Sequence, residues 1–181
     1  MKKLAYVFLA VAMIGTTMMA ADNPMVGGAA MFPTKNIVEN AVNSADHTTL
    51  VAAVKAAGLA ETLQSAGPFT VFAPTNEAFS KLPAGTVDTL LKPENKDTLT
   101  KVLTYHVVAG KMSSKELSKA IKAGNGTATL KTVSGGTLKA TFQGKSIILT
   151  DEKGGMSKVT IADVHQSNGV IHVVDNVLLP N

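Results

Sequence analysis

The hydrophobic period of this 181-residue chain changes once, after Gly124-Asn125-Gly126, and that change restricts the fold more than any other feature. Before it, apolar residues recur at helical spacing. Ile37, Val38, Ala41 and Val42 fall on one helical face; Leu50, Val51, Val54 and Ala57 fall on another, behind an N-cap candidate at Asp46. Gly58 and Gly67 are stop signals. Leu99, Val102, Leu103 and His106 stand at i, i+3, i+4 and i+7. Ser113-Ser114-Lys115-Glu116 has the S-x-x-E form of a capping box, and Leu117, Ala120 and Ile121 follow on one face. After the change, Leu138, Ala140 and Phe142 alternate with Thr137, Lys139 and Thr141. Turns at Gln143-Gly144-Lys145, Asp151–Gly155 and Ser167-Asn168-Gly169 separate further apolar runs, which predicts an antiparallel sheet. One strand stands apart, Phe69–Ala73. It is broken by Pro74-Thr75, with Thr75 or Asn76 placed to cap a helix from near Glu77. Helices first and strands afterwards argue for an α+β domain rather than βαβ units.

Composition sets the compartment and excludes several functions. Met1-Lys2-Lys3 is basic, Leu4–Met19 is apolar or small, and Ala20-Ala21 suits cleavage. Residues 1–21 therefore read as a secretory signal peptide, cut after Ala20 or Ala21. Its apolar run falls short of the roughly twenty residues a spanning helix needs, so no transmembrane anchor is expected after cleavage. Residues 22–33 form a lead segment in which Met25, Val26, Met31 and Phe32 are too apolar for a plain linker. They either pack on the domain, 34–181, or form an exposed contact patch. The chain has no cysteine, so its core holds it together without disulfides.

Removing Lys2 and Lys3 lowers the formal charge from +4 to +2. Every cation is a lysine. Without arginine for bidentate recognition, and without tryptophan to stack on bases, nucleic-acid binding is not expected. There is no GxSxG elbow, no cysteine nucleophile and no phosphate-loop motif, so neither an enzyme nor a cofactor is expected. A metal site would require His106, His165 and His172 to converge, with Asp163 beside them. Their spacings match no compact metal motif.

The stretches Thr70–Phe79 (TVFAPTNEAF) and Gly169–Pro180 (GVIHVVDNVLLP), with Tyr105-His106 between them, resemble in order and spacing the motifs of the fasciclin domain. That domain is the module of fasciclin-like adhesion proteins and their secreted bacterial relatives. The resemblance extends from about Asn36 onward. It implies two small β-sheets forming a wedge with a cluster of helices packed against it. It also implies an extracellular or cell-surface role in adhesion, without catalysis. Thr70, Phe72, Pro74, Thr75, Asn76, Phe79, Tyr105, His106, Gly169, His172 and Asp175 are then scaffold residues. In animal members an Asp-Ile pair before the second motif is linked to integrin binding. Here the pair is Asp163-Val164, followed by His165 in place of a large apolar residue.

The candidate contact surface is therefore Asp163, Val164 and His165 with the turn Asn168-Gly169. A lysine stripe at Lys115, Lys119 and Lys122 comes second. Such a stripe suits an anionic polysaccharide, or is a solvated helix face and nothing more. The expected partner is a cell-surface or matrix protein or an anionic polysaccharide, met in the periplasm or outside the cell. A single weak grip favours homo-oligomers or high surface density. The alternative function is periplasmic capture of a small apolar ligand between sheets and helices. His106 reads as a buried histidine with both ring nitrogens satisfied, because an unpaired buried polar group costs about 1–3 kcal/mol.

Overall fold

A computed structural model describes residues 23–181, so the signal peptide expected at 1–21 lies outside the described residues. The lead segment folds into a hairpin of β1 (Met25–Val26) and β2 (Ala29–Ala30). Gly27, at φ 58°, makes the turn, and a Cβ on it would lie 2.4 Å from Ser44 Oγ. Only glycine fits that approach. The hairpin divides the apolar residues of the lead. Val26 and Met31 are buried in the core, whereas Met25 and Phe32 face solvent.

Helix α1 (Ile37–Ala41) starts on a capping box of Asn36 and Glu39. It ends at Ala41, which leaves Val42 exposed instead of on the inner face its spacing suggested. Helix α2 (Thr48–Ala57) ends at Gly58 in the left-handed region, and α3 (Ala60–Gln64) follows. Asp46 does not cap α2; it lies in a 3₁₀ turn, Ala45–His47. The free amide of Thr49 instead donates to Asn76 Oδ1 at 3.0 Å, a cap supplied from a distant segment.

Strand β3 (Phe69–Pro74) leads into α4 (Asn76–Ser80), where Thr75 Oγ1 accepts the Ala78 amide. Then come α5 (Thr86–Leu90), α6 (Lys96–Tyr105), β4 (Val107–Ala109) and α7 (Ser114–Ala123). Helix α7 carries the capping box read at Ser113 and Glu116. The remainder is β5 (Thr127–Lys131), β6 (Thr137–Gln143), β7 (Ser146–Thr150), β8 (Met156–Gln166) and β9 (Gly169–Val174).

The large sheet has the order β4-β3-β9-β8-β7-β6-β5 and is antiparallel except where β3 runs parallel to β9. The two family-like stretches are thus neighbours, in register from Phe69 opposite Gly169 to Pro74 opposite Val174. Strand β8 joins two halves. Met156–Lys158 pair with β7, and Val159–Gln166 pair with β9 across two register shifts. Such irregularities bend a strand, and here they fold one sheet into a wedge. A bridge between Val108 and Thr132 draws the outer edges of the two halves together.

One core lies between the helices and the first half of the sheet, with Ile37, Leu50, Val71, Ile171 and Val173 in it. A second fills the wedge with Phe72, Tyr105, Leu117, Ile121, Leu149 and Val174. Neighbouring residues of β3 and β9 therefore enter different cores. Burial on both faces explains why these strands read as continuous apolar runs instead of alternating ones.

Candidate functional site

The scaffold residues are held by specific bonds. His106 Nδ1–H donates to the Val102 carbonyl at 2.8 Å, and Nε2 accepts the Leu178 amide at 3.0 Å. Burial lowers its pKa to about 4, against the opposing pull of the Val102 carbonyl and the Asp151 carboxylate. Tyr105 donates its hydroxyl to the Thr137 carbonyl at 2.6 Å and accepts the Glu152 amide at 3.2 Å. Burial raises its pKa to about 12. The Tyr-His pair thereby ties α6 to β6, to the turn before β8 and to the C-terminal tail. Thr70 Oγ1 donates to the Gly110 carbonyl and accepts the Met112 amide. Phe79 is buried, and Asp175 accepts the Lys158 amide at 2.8 Å.

His172 stacks on Phe72 with ring centroids 5.7 Å apart. Its Nε2–H donates to the Met112 carbonyl at 2.8 Å, and its Nδ1 accepts the Asp163 amide at 3.3 Å. Both nitrogens of His106 and of His172 therefore face backbone groups. Among the described residues no three His, Cys, Asp or Glu side chains are grouped to hold a metal ion.

Asp163 occupies the second register shift of β8 at φ 59°. Its carboxylate accepts the Ser114 amide at 2.6 Å and also the Ser114 hydroxyl. Ser114 opens α7, so Asp163 satisfies a free donor there and places negative charge at the helix N-terminus. Partial burial opposes that charge. The two Ser114 bonds, then His172 and His165, outweigh it and hold the pKa below the ordinary aspartate value.

Val164 is fully buried in the helix-side core. Asn168 is buried too. Its Oδ1 accepts the Ile37 amide, and its Nδ2 donates to the Leu63 and Ser65 carbonyls. At Gly169 a Cβ would fall 2.1 Å from the Phe69 carbonyl oxygen, so the turn tolerates no side chain there. Of Asp163, Val164, His165 and Asn168, only His165 is exposed; Asp163 is half-buried. Lys115, Lys119 and Lys122 are all exposed on α7. The Asp163–Ser114 contact sets the bulge of β8 against the first turn of that helix, so both candidate regions adjoin.

A separate feature lies on the other side of the sheet. An apolar cavity of about 70 Å³ is walled by Val26 and Met31 of the lead, Leu50 and Val54 of α2, and Val71 and Ile171 of the sheet. His47 also lines it. No motif drew attention to His47; the one hint was a histidine at the start of an apolar helix. Its Nδ1 bonds to Ser44 Oγ at 2.8 Å, while its Nε2 has no partner. Among the described residues, no helix is long and apolar enough to cross a membrane.

Comparison with known proteins bears on the whole arrangement. A family model described as Fasciclin domain matches residues 45–180. The chain is 47% identical over 158 residues to protein sll1483 of Synechocystis, covering 86% of this chain and 79% of that one. It is 33% identical over 175 residues to the cell surface glycolipoprotein MPB83 of Mycobacterium bovis, covering 92% of this chain and 70% of that one. Among solved structures, a FAS1 domain pair from the insect cell adhesion molecule Fasciclin I matches with a TM-score of 0.70 at 18% identity. That match covers 80% of this chain and 51% of the other, and at this identity it speaks for the fold alone.

Proposed function

Because the chain belongs to the fasciclin domain family, we propose that it is a non-catalytic adhesion module that grips an anionic surface or matrix polymer through the lysine face of α7 and the adjoining His165 on the bulge of β8. The observation that carries this reading is the division of labour among the candidate residues. Those of the two motifs and the Tyr-His pair are spent on internal bonds and packing. Lys115, Lys119, Lys122 and His165 remain as side chains open to a partner. The similar proteins agree in kind: MPB83 is a cell surface glycolipoprotein and Fasciclin I a cell adhesion molecule. Secretion and action in the periplasm or outside the cell belong to the same proposal.

Lysine grips phosphate or carboxylate as a point charge, so contact is sensitive to salt and tolerant of polymer geometry. Charges open to solvent are screened over about 8 Å at physiological ionic strength. A single face of this size binds weakly, and dense display or self-association raises the effective affinity by about 10²–10⁴-fold.

The test is retention on an immobilised anionic polysaccharide across a salt gradient, wild type beside the triple variant Lys115→Gln, Lys119→Gln, Lys122→Gln. The expected result is earlier elution of the variant at unchanged melting temperature. Equal retention at every salt concentration would sink the lysine face. A protein captured from surface extracts by wild type but not by His165→Ala would move the grip from polysaccharide to protein.

A further inference from the structure

We propose that the outer face of strands β5 to β8 is a second docking surface, fitted to a linear polyuronate, a polysaccharide with a carboxylate on each sugar. It shares its partner chemistry with the lysine face of α7 and none of its residues.

The register decides which side chains share this face. On the inner side, Leu130, Leu138 and Leu149 pack with Leu117 and Ile121 of α7 in one core. The residues between them along each strand point the opposite way. Thr129, Lys139, Thr150 and Met156 stand side by side in one row across the four strands. Thr127, Thr141, Ile148 and Lys158 form the next row. Lys131 and Thr137 are opposite each other in a third. No aspartate or glutamate occupies any of these positions. Acids touch only the rim, where Glu152 accepts the Thr137 amide and hydroxyl and Asp175 accepts the Lys158 amide.

Lys131, Lys139 and Lys158 are exposed, and the three rows set them on a diagonal. With strands about 4.8 Å apart and a rise of about 3.3 Å per residue, Lys139 lies about 8 Å from Lys131 and about 12 Å from Lys158 between Cα positions. A line of cations with no acid between them suits a chain of repeated carboxylates better than one small anion. Each ammonium acts as a point charge and tolerates variable spacing along that chain. Thr129 and Thr150 flank Lys139 on either side, where their hydroxyls can donate to and accept from sugar hydroxyls. Of the threonines on this face, Thr137 alone spends its hydroxyl inside the protein, on Glu152.

Other polymers fit less well. Ile148 points outward and belongs to neither core, yet it is only 8% exposed. Its neighbours in register are Thr141 and Lys158, and a lysine stem covers apolar surface while its ammonium stays in water. A lipid surface therefore finds Met156 at the edge and little else apolar. Nucleic acid finds neither arginine nor an aromatic ring at these positions.

Helix α7 covers the inner side of the same four strands, so its lysines and those of the sheet look in opposite directions. One domain then bridges two polymer chains, and valency arises within a single copy. This bridging rests on the grip proposed for α7; the sheet site does not.

The experiment is a backbone-amide NMR titration of the purified protein with a short alginate oligomer and, separately, with an oligoglutamate of equal charge. The expected result is shifts at Thr129, Lys139 and Thr150. The alginate oligomer should bind about tenfold more tightly than oligoglutamate, the worth of one or two net hydrogen bonds. The variant Lys131→Gln, Lys139→Gln, Lys158→Gln should lose the shifts while its spectrum otherwise keeps the native pattern. Thr129→Val with Thr150→Val should lose most of the preference for sugar. The proposal is overturned if the sheet amides stay silent, if both oligomers bind equally, or if the lysine variant still shifts. Should a variant fail to fold, the wild-type shifts and affinity ratio decide alone. The amides of α7 report separately. Shifts on the sheet with α7 silent would keep this site and remove the grip of α7, whereas shifts on α7 alone would do the reverse. Bridging is read by light scattering with long alginate, which wild type should cluster and neither lysine triple variant should; clustering by the sheet variant would overturn it.

Discussion

His47, His106 and His172 are buried, and burial lowers the pKa of each. This links stability to pH with a definite sign. The unfolded chain takes up protons near the ordinary value of 6.5, whereas folded His106 does so only near 4. The folded state therefore binds fewer protons in that window. The contribution of His106 is fully present above 6.5 and is lost as pH falls toward 4. The two values differ enough to make this about 3 kcal/mol, and His47 and His172 act in the same direction. Urea unfolding at about pH 7.5, 6 and 4.5 should show the drop. A flat profile over that range would contradict the neutral, doubly bonded ring of His106. Glu116, Glu152 and Asp163 have lowered pKa values, so their contributions are lost at lower pH, below the ordinary carboxylate range. The sequence shows that His106 needs partners. It cannot show that one is the amide of Leu178, 72 positions away.

At the scale of elements, the decisive joint is the one between β8 and α7. Asp163 supplies a cap that α7 lacks locally, because the Ser113 hydroxyl already serves the Glu116 amide. It also holds a left-handed backbone conformation, which aspartate and asparagine tolerate far better than β-branched residues. We expect Asp163→Asn to cost least, Asp163→Ala about 1–2 kcal/mol, and Asp163→Val more than Ala. Hydrogen exchange at the Ser114 amide should rise in the same order. Unchanged exchange in Asp163→Ala would remove Asp163 as the brace. Loss of adhesion in an Asp163 variant would thus mix a lost contact with a shifted α7, which is why the lysine variants make the cleaner test.

This scale also separates what is legible in a sequence from what is not. The box at Ser113 is readable because both partners lie within four residues. The cap on α2 is not, because Asn76 reaches Thr49 from 27 positions away, while Asp46 is the nearer residue of capping type. Strand β4 gave little signal, since three residues directly after a helix are too few to establish a period.

For the whole molecule, the order of helices and strands followed from periodicity, whereas the parallel pairing of the two motif strands is marked by no local pattern. The wedge depends on β8 changing partners midway, which no local pattern marks. The extent of the folding unit is a further global property. The family match begins at residue 45, yet Val26, Met31, Ile37 and Val38 are buried in the helix-side core. Asn40, fully buried, binds the amide and carbonyl of Phe32 and also the Gln166 side chain, fastening the lead to β8. Residues 25–44 therefore pack into the same core as the sheet, and we expect them to unfold with it. Two methionines of the lead make a controlled comparison, since Met31 is 2% exposed and Met25 is 59% exposed. Met31→Ala should destabilise the protein by about 2–5 kcal/mol, the usual range for truncating a buried large side chain. Met25→Ala should stay within about 0.5 kcal/mol of wild type. Denaturant unfolding followed both by circular dichroism and by a probe on the lead would show one shared transition. If Met31→Ala proves as mild as Met25→Ala, or if the lead melts first, then the hairpin is an appendage to the domain and not part of its core.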